Sequence, residues 1–543
     1  KLGDKKLTMI YSKKREQTGT VNVKTSKDKQ QQFVLPDKEV VTLAHWAKLI
    51  EDHYQKPMDI EWAKDGITNQ LFITQARPET VHQSRNRNIL ITYKLIEKGK
   101  LLSQGNAVGS KIKTGTSCFL KSPKDAGQLD SNTIIVTDTI TPDWDPLLKQ
   151  IAGIITNKGG RTSHAAIVAR ELGVPAIVGC GNATTTVKDG QTITLSCAQG
   201  KTGYVYEGKC KFEEKEIDFS NINMPKTEAK MILADPENAF QLSYYPNNGV
   251  GLLRMEFIIT HHVKVHPMAL VKFDDIKDSS VKHKIINITS GYDNKQDYFV
   301  DKLSQGIATI AAAFYPKEVI VRLSDFKTNE YANLIGGKDF EPEEENPMLG
   351  FRGASRYYSE LYKDGFALEC KAIKKVRKDM GLVNLKVMIP FCRTVKEGQK
   401  VLACMAENGL KRGENGLEVY TMVEIPSNVI LAKEFAEIFD GFSIGSNDLT
   451  QLTLGVDRDS ELLGKLFDEN DAAAKQMIKM AIQSAHKTNT KIGLCGQAPS
   501  DFPEFAAFLV KEGIDSISFN PDALLQGIEN INKAEKLYTM TLA

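Results

Sequence analysis

Eight short apolar runs, separated by segments long enough for helices, recur between residue 231 and the C-terminus, and this repeat constrains the fold more than any other feature. Strands that alternate with helices predict a parallel sheet, and eight such units over about 310 residues predict a (β/α)8 TIM barrel over residues 231–543. The connection between the third and fourth runs is long, which predicts an insertion at residues 333–358. The predicted strands are Met231–Asp235, Gly249–Arg254, Val319–Leu323, Leu385–Pro390, Val419–Ile425, Gly441–Gly445, Ile492–Cys495 and Ser516–Phe519.

Charged side chains stand where these predicted strands end, and barrel enzymes carry their active sites at that end. Glu424 and Asp448 offer hard oxygen ligands that suit one Mg²⁺ with open positions for substrate oxygens. Arg254 and Arg322 could hold a carboxylate, an enolate oxygen or a phosphoryl group, and Arg352 of the insertion could add a third positive charge.

A cysteine and a polar turn complete the set at the strand ends. Cys495 lies between Gly493 and Gly496, where the backbone can approach a ligand closely, and its thiol could move a proton to or from carbon. The turn at 446–448 follows the sixth predicted strand. Each residue also has a structural interpretation: a surface ion pair for the arginines, a helix cap for the acids, a small apolar residue for the cysteine. Their position at the ends of several strands favours a site.

A strand, a glycine turn and a helix with one histidine at its start occupy the middle of the chain. The apolar run 151–156 leads through Gly159 and Gly160 to His164 and a helix that ends before Gly173, with Thr162 or Ser163 as N-cap. A helix N-terminus favours an anion over an imidazolium, so a neutral His164 could attack phosphorus and the phosphohistidine would be stabilised. The alternative is a histidine that only caps or fills a loop, and the local motif does not decide between the two.

The chain before the barrel divides into two further regions. Short strands around His164 predict a compact α/β domain over residues 95–207, and the charged segment 208–230 reads as a linker. Residues 1–80 contain two alternating strands joined by a turn, in which Glu61 and Gln75 lie side by side with Arg77 one same-face step on. An acid, an amide and an arginine on one sheet face suit the phosphates of a magnesium nucleotide, although an ordinary solvated hairpin is the more frequent explanation.

Charge and cysteine content narrow the class of protein. The chain has 70 Lys and Arg against 68 Asp and Glu. It therefore has no excess of positive charge that would indicate nucleic acid or a membrane surface as a partner. The sequence contains no run of about 18 apolar residues, so it predicts no membrane-spanning helix. The eight cysteines form no CxxC pair, which disfavours a zinc site or a disulfide framework and favours a reducing cytoplasm.

Long motifs in all three regions resemble the PEP-utilising enzymes. Residues 159–176 resemble the phosphohistidine motif of that family, and residues 249–256 and 443–451 resemble the signatures of its PEP/pyruvate barrel. Residues 332–357 look most like those of the pyruvate, water dikinases. The resemblance implies a swivelling β/β/α phosphohistidine domain between an ATP-grasp domain and a TIM barrel, in an α/β multidomain chain that dimerises through the barrel.

The resemblance also assigns roles by position. It implies that His164 carries a phosphoryl group from ATP to pyruvate, with AMP and phosphate as the other products, and that Cys495 exchanges the C3 proton. Thr162 matches a regulatory phosphorylation position, and Glu61, Gln75 and Arg77 would belong to the nucleotide site. Mg²⁺ would be held by Glu424 and Asp448. The implied substrate-binding residues are Arg254, Arg322, Arg352, Glu424, Gly445, Ser446, Asn447 and Asp448.

The region before residue 80 is much shorter than an ATP-grasp domain. This predicts that residues 1–80 are the C-terminal remnant of that domain, in a truncated chain that keeps only the PEP/pyruvate half-reaction. Three alternatives stay open. Pyruvate, phosphate dikinase uses phosphate instead of water, and the first enzyme of the phosphotransferase system passes phosphate from PEP to a carrier protein. An inactive fragment that acts as a binding or scaffold protein is the third.

Overall fold

A computed structural model describes residues 5–12, 19–30, 32–78, 89–127, 129–148, 151–160, 163–199, 202–218, 222–458, 460 and 462–542. The chain divides into two compact units. One comprises residues 1–89 and 288–293, and the other comprises residues 90–287 and 294–543.

The described residues of the first unit between 5 and 78 form two antiparallel strand pairs and two helices. Strand β3 pairs with β4 so that Glu61 stands opposite Gln75, as the sequence predicts, and Asp59 stands opposite Arg77. A register shift follows Glu61. The elements are β1 Leu7–Tyr11, β2 Thr20–Lys24, α1 Lys27–Gln30, α2 Asp37–Tyr54, β3 Met58–Lys64 and β4 Leu71–Pro78.

The central domain contains a closed barrel of seven strands between Leu101 and Glu207, with one principal helix. Apolar side chains of that helix, Ala165, Ala166, Val168 and Ala169, are buried against the strands. The sequence predicts strands at 105–110, 133–136, 151–156, 176–178 and 192–195, and it does not predict two others, 112–119 and 202–207. The elements are β6 Leu101–Val108, β7 Ile112–Phe119, β8 Thr133–Thr137, α3 Asp145–Leu148, β9 Gly153–Thr156, α4 His164–Leu172, β10 Ala176–Val178, α5 Ala183–Thr186, β11 Thr192–Ser196 and β12 Thr202–Glu207.

The segments on either side of the central domain pair with each other. Strand β5, Ile89–Leu95, and strand β13, Phe212–Asp218, form a two-stranded sheet. The ring centroids of Tyr93 and Phe212 lie 6.0 Å apart across this sheet, and the Ile96 N–H donates to the Lys211 carbonyl at 2.9 Å. The segment 208–230, predicted as a linker, therefore contains β13 and also the start of the first TIM-barrel strand at Glu228.

The C-terminal region is a closed barrel of eight parallel strands in sequence order, which confirms the predicted TIM barrel. The strands are β14 Glu228–Leu233, β15 Val250–Arg254, β16 Val319–Arg322, β17 Leu385–Ile389, β18 Val419–Val423, β19 Gly441–Ile444, β20 Lys491–Leu494 and β21 Ser516–Phe519. Each lies within three residues of its predicted position at either end. Side chains that point inward from several strands form the interior cluster Ile232, Leu252, Ile320, Met388, Tyr420, Met422 and Cys495.

Helices surround the barrel, and the long connection between β16 and β17 contains several of them, as predicted. The helices are α6 Ala239–Ser243, α7 Met255–Ile258, α8 Pro267–Val271, α9 Ser279–Ile288, α10 Lys295–Phe314, α11 Thr328–Ala332, α12 Ala354–Tyr357, α13 Lys363–Lys374, α14 Val395–Glu407, α15 Pro426–Ile430, α16 Ala432–Ile438, α17 Ser446–Leu454, α18 Ala472–Lys487, α19 Ala498–Asp501, α20 Pro503–Glu512 and α21 Leu524–Leu542. Among the described residues, no helix combines the length and apolarity needed to cross a membrane.

Candidate active site

A cavity of about 170 Å³ lies at the carboxyl-terminal ends of the TIM-barrel strands, and His164 of the central domain lines it together with the barrel. The central domain is therefore docked with its histidine over the barrel mouth. Cys495, at the end of β20, lines the same cavity. The other predicted residues in the lining are Arg254, Arg322, Arg352, Glu424, Gly445, Asn447 and Asp448.

The turn before α4 places His164 at the first position of the helix. Gly159 has φ +99°, and a Cβ there would lie 2.8 Å from the Ser163 hydroxyl oxygen, so the turn needs glycine. The Ser163 N–H donates to the Gly160 carbonyl at 3.1 Å, and the Ser163 hydroxyl is buried without a hydrogen-bond partner among the described residues. Ser163 is thus not the side-chain cap, and Thr162, the other candidate cap and the predicted regulatory residue, lies outside the described residues.

Two carboxylates, those of Asp325 and Glu256, hold two of the arginines. Asp325 accepts from Arg352 Nε at 3.1 Å and from Arg352 Nη2 at 2.8 Å, and its Oδ2 lies 3.3 Å from Arg322 Nη1. Glu256 Oε1 accepts from Arg322 Nη2 at 3.0 Å. Burial lowers the pKa of both guanidinium groups, but the carboxylates around them outweigh it and raise it. Both arginines are therefore fixed cations in defined orientations before substrate binds.

Glu424 and Asp448 fit a divalent cation. Glu424 Oε1 accepts from the Phe391 N–H at 2.6 Å, and Asp448 Oδ2 lies 3.5 Å from Arg352 Nη2. The other oxygen of each carboxylate, Glu424 Oε2 and Asp448 Oδ1, is buried without a hydrogen-bond partner among the described residues. Buried oxygen atoms usually have a hydrogen-bond partner. Two that have none, one from each carboxylate on the same cavity wall, suit a hard cation as ligands.

The pKa values of the two carboxyls are shifted in opposite directions. Burial raises the pKa of Glu424, and the nearby Asp448 and Asp325 charges raise it further, against the opposing effect of Arg352 and Arg322. Burial also raises the pKa of Asp448, but Arg352 and other cations outweigh it and lower the pKa overall. Asp448 is thus the anion of the pair, and Glu424 holds a proton more readily.

The loop after β19 approaches its neighbours closely. A Cβ at Gly445 would lie 2.7 Å from Glu424 Oε2, and one at Gly496 would lie 1.7 Å from the Ser446 hydroxyl oxygen. The Ser446 hydroxyl donates to Glu469 Oε1 at 2.5 Å, and Asn447 Oδ1 accepts from the Gln497 N–H at 3.4 Å. Ser446 is fully buried and supports the loop, whereas Asn447 lines the cavity.

Cys495 holds its proton. Its Sγ lies 3.7 Å from the Ile444 carbonyl oxygen, and the residue is 3% exposed. Burial raises the pKa of the thiol, and Glu424 adds to the effect, while Ser443, Arg322 and Arg254 act against it. A protonated thiol at the cavity wall is an acid that can protonate a carbon atom bound there.

The sequence analysis missed five charged residues that line the cavity: Glu256, Asp325, Lys327, Glu330 and Arg458. Glu256 and Asp325 stand two and three residues after predicted arginines, so the strand-end rule could have included them. Lys327 and Arg458 both lower the pKa of Asp448. Arg458 follows α17 on a loop that returns to the cavity, and no local pattern marks such a return.

The predicted nucleotide residues stand on the β3–β4 hairpin. Glu61, Gln75 and Arg77 are exposed there, and Arg77 Nε lies 3.7 Å from an Asp59 oxygen. The predicted pairing of Glu61 with Gln75 is confirmed, and the assignment of these residues to a nucleotide site stays a prediction.

Comparisons with known proteins agree across all three regions. The PEP-binding domain of PEP-utilising enzymes matches residues 214–535, their mobile domain matches residues 129–200, and the AMP/ATP-binding domain of pyruvate phosphate dikinase matches residues 1–95. The phosphoenolpyruvate synthases of Aquifex aeolicus, Synechocystis sp. and Escherichia coli are 53%, 52% and 50% identical over 99%, 99% and 97% of this chain.

The same comparisons bear on the N-terminal region. The chain covers 69%, 66% and 66% of the length of those three relatives, or about two thirds. The prediction of an N-terminal truncation is not supported, because the AMP/ATP-binding domain matches from residue 1 to residue 95. The predicted family and fold class are confirmed.

Proposed function

We propose, since this chain belongs to the family of PEP-utilising enzymes, that it forms phosphoenolpyruvate from pyruvate, ATP and water, with AMP and phosphate as the other products. The observation that carries this proposal is one cavity lined by a helix-start histidine, a protonated thiol, the carboxylates of Glu424 and Asp448, and four arginines. A nucleophile, a proton donor for carbon and anion-binding groups are the components that phosphoryl exchange with an enolate needs.

The chemistry at this cavity is easiest to follow in the direction of PEP consumption. A ring nitrogen of neutral His164 attacks phosphorus, the bond from phosphorus to the enol oxygen breaks, and the phosphoryl group stays on the histidine. The enolate then takes the thiol proton of Cys495 at C3 and leaves as pyruvate. In the direction of PEP synthesis each step reverses, so the Cys495 thiolate removes the C3 proton and the enolate oxygen attacks phosphohistidine.

The remaining residues bind and orient. Arg254, Arg322 and Arg352 neutralise the carboxylate and the transferring phosphoryl group, and the fixed orientations of Arg322 and Arg352 stabilise the charge that develops on the enolate oxygen. Glu424 and Asp448 would hold Mg²⁺. When bound, Mg²⁺ supplies a Lewis acid that polarises substrate oxygens.

The loop residues of the site have separate proposed roles. Gly445 and Asn447 bind substrate at the cavity wall, and Ser446 acts by holding their loop. Thr162 keeps its predicted regulatory role.

The phosphoryl donor, the assembly and the compartment complete the proposal. ATP would bind with help from Glu61, Gln75 and Arg77. A homodimer formed through the barrel follows from the family resemblance. A cytoplasmic location accords with the eight cysteines, none of which forms a disulfide within the described residues.

Labelled PEP tests the proposal directly. With Mg²⁺ present, we expect the label to appear on His164 and an equal amount of pyruvate to be released. His164→Asn should carry no label while it still binds PEP. A wild-type chain that binds PEP and Mg²⁺ but never becomes labelled would overturn the proposal. Phosphoenolpyruvate formation from ATP and pyruvate without added phosphate separates it from the alternative, pyruvate, phosphate dikinase.

A further inference from the structure

The central domain and the barrel share a second cavity, of about 220 Å³, at the opposite end of the histidine helix. Helix α4 runs from His164, which lines the catalytic cavity, to its C-terminal glycine, Gly173, which lines the second one. The helix has nine residues, so its two ends lie about 13 Å apart at a rise of about 1.5 Å per residue. The barrel contributes Gln241, Tyr245 and Asp522 to the second cavity.

Lys111 of the central domain caps the C-terminal end of α4 at this cavity. Its Nζ donates to the Gly173 carbonyl at 2.8 Å. Gly173 has φ +66°, and the Val174 N–H donates to the Ala169 carbonyl at 2.9 Å, which is the αL-terminated pattern that closes a helix. A lysine at this end also interacts favourably with the negative end of the helix dipole. Lys111 and the C-terminal end of α4 therefore keep a fixed relative position.

The charge that faces Lys111 across the cavity belongs to the barrel. Asp522 follows β21, and its Oδ2 lies 3.6 Å from the position that a Cβ would take at Gly109, two residues before Lys111. Burial lowers the pKa of Lys111, the Asp522 charge opposes that effect, and Lys113 adds to it. A lysine that loses solvent when the domains meet is stabilised by a negative charge on the facing side, and Asp522 is the carboxylate on the barrel side of this cavity.

We propose that Lys111 and Asp522 form a docking contact that holds the C-terminal end of α4 on the barrel and so directs His164 into the catalytic cavity. A helix held at one end can still rotate about that point, whereas contacts at both ends fix its direction. Both are positioning residues, since they line the second cavity and not the catalytic one. The proposal rests on the proposed function, in which His164 must dock at the barrel and leave it again.

The experiment compares Asp522→Asn, Lys111→Met and the double variant with the wild type, and uses Lys188→Met, at an exposed lysine of the same domain, as a control. Two quantities are measured on the full chain. The first is the single-turnover rate of His164 phosphorylation by PEP at low and high salt. The second is hydrogen exchange of residues 238–245 on the barrel, a segment that lines the second cavity, and this readout needs no chemistry.

We expect Asp522→Asn to slow phosphorylation by about fivefold at low salt, with the difference reduced at high salt and PEP affinity unchanged. Exchange at residues 238–245 should rise, and the double variant should be no slower than the slower single variant. Lys188→Met should match the wild type.

The proposal would be overturned if Asp522→Asn had the phosphorylation rate and hydrogen exchange of the wild type. It would also be overturned if the rate losses of the two single variants multiplied in the double variant. Because Asp522 lies on the barrel, a Lys111→Met variant that fails to fold leaves the test intact. If the wild type is not phosphorylated at all, the proposed function fails, and the exchange experiment still decides the docking contact.

Discussion

Replacing Glu369 by Gln should flatten the pH dependence of the barrel's stability. Glu369 lies in α13 and is fully buried. The Ser324 and Tyr362 hydroxyls donate to its Oε1 at 2.5 and 2.7 Å, and the Ser324 N–H donates to its Oε2 at 3.2 Å. Burial raises the pKa of this carboxyl from 4.5 to about 7, although the hydrogen bonds from Ser324 and Tyr362 act in the opposite direction.

The sign follows from where the proton is bound. Between pH 4.5 and about 7 the folded protein keeps the Glu369 proton, whereas the unfolded chain has lost it. The stabilising contribution of this group is therefore complete below pH 4.5 and is lost as the pH rises through about 7. At about 1.36 kcal/mol per pH unit, the whole change amounts to about 3 kcal/mol of the free energy of unfolding.

Hydrogen exchange of β16 and α13 peptides in increasing denaturant measures this free energy within the barrel, from about pH 5 to about pH 8. Fluorescence would not, because the three tryptophans, Trp46, Trp62 and Trp144, all precede the barrel. The wild type should lose stability with rising pH, and Glu369→Gln should lose much less.

Glu318→Gln is the control of opposite sign. Burial would raise the pKa of Glu318, but Lys230 and Lys386 outweigh it and lower the pKa from 4.5 to about 2. Its contribution is present above pH 4.5 and is lost as the pH falls toward about 2, so the variant should be less stable with an unchanged slope above about pH 5. An equal slope in Glu369→Gln and the wild type would refute the reasoning.

Three further predictions concern the catalytic cavity. Glu424→Gln and Asp448→Asn should each weaken Mg²⁺ binding by at least about 100-fold in calorimetry, and wild-type affinity should rise with pH because the cation displaces the Glu424 proton; a pH-independent affinity would contradict this. Cys495→Ala should slow pyruvate C3 proton exchange by about 100-fold or more while His164 labelling by PEP stays within about tenfold, and equal losses in both would exclude the assigned role. Asp325→Asn should raise the KM for PEP by about 10- to 100-fold because Arg322 and Arg352 lose their shared carboxylate, and an unchanged KM would show that other contacts hold them.

The TIM barrel could be predicted because its strands are buried on both faces and read as short apolar runs. The strand-end rule then identified Arg254, Glu424, Asp448 and Cys495, since parallel strands place their last residues at one end. The rule stops at the strand, however. Arg458 reaches the cavity from a loop beyond α17, and the path of such a loop depends on packing that no local pattern records.

The central domain was harder to predict for a related reason. Strand β7 has mostly small and polar residues in its middle, and strand β12 has only a short run of strand-forming residues, Tyr204 to Tyr206, after a glycine. They are strands because the barrel closes and supplies a hydrogen-bonding neighbour on each side. Strand β13 is charged and was interpreted as a linker, and its partner β5 lies more than a hundred residues earlier in the chain. Pairing over that distance is a tertiary effect.

The pairing of β5 with β13 changes what the two connections of the central domain can do. Two separate tethers would let the domain diffuse within their combined length, and each would lose its own conformational freedom on docking. Hydrogen-bonded strands with an aromatic contact between Tyr93 and Phe212 have lost that freedom already. The domain is thus attached by one ribbon, about which it can rotate as a body. If the domain rotates about this ribbon, the direction of α4 on the barrel is set by the contacts at its two ends. His164 fixes only one end of the helix, and the proposed contact between Lys111 and Asp522 would fix the other.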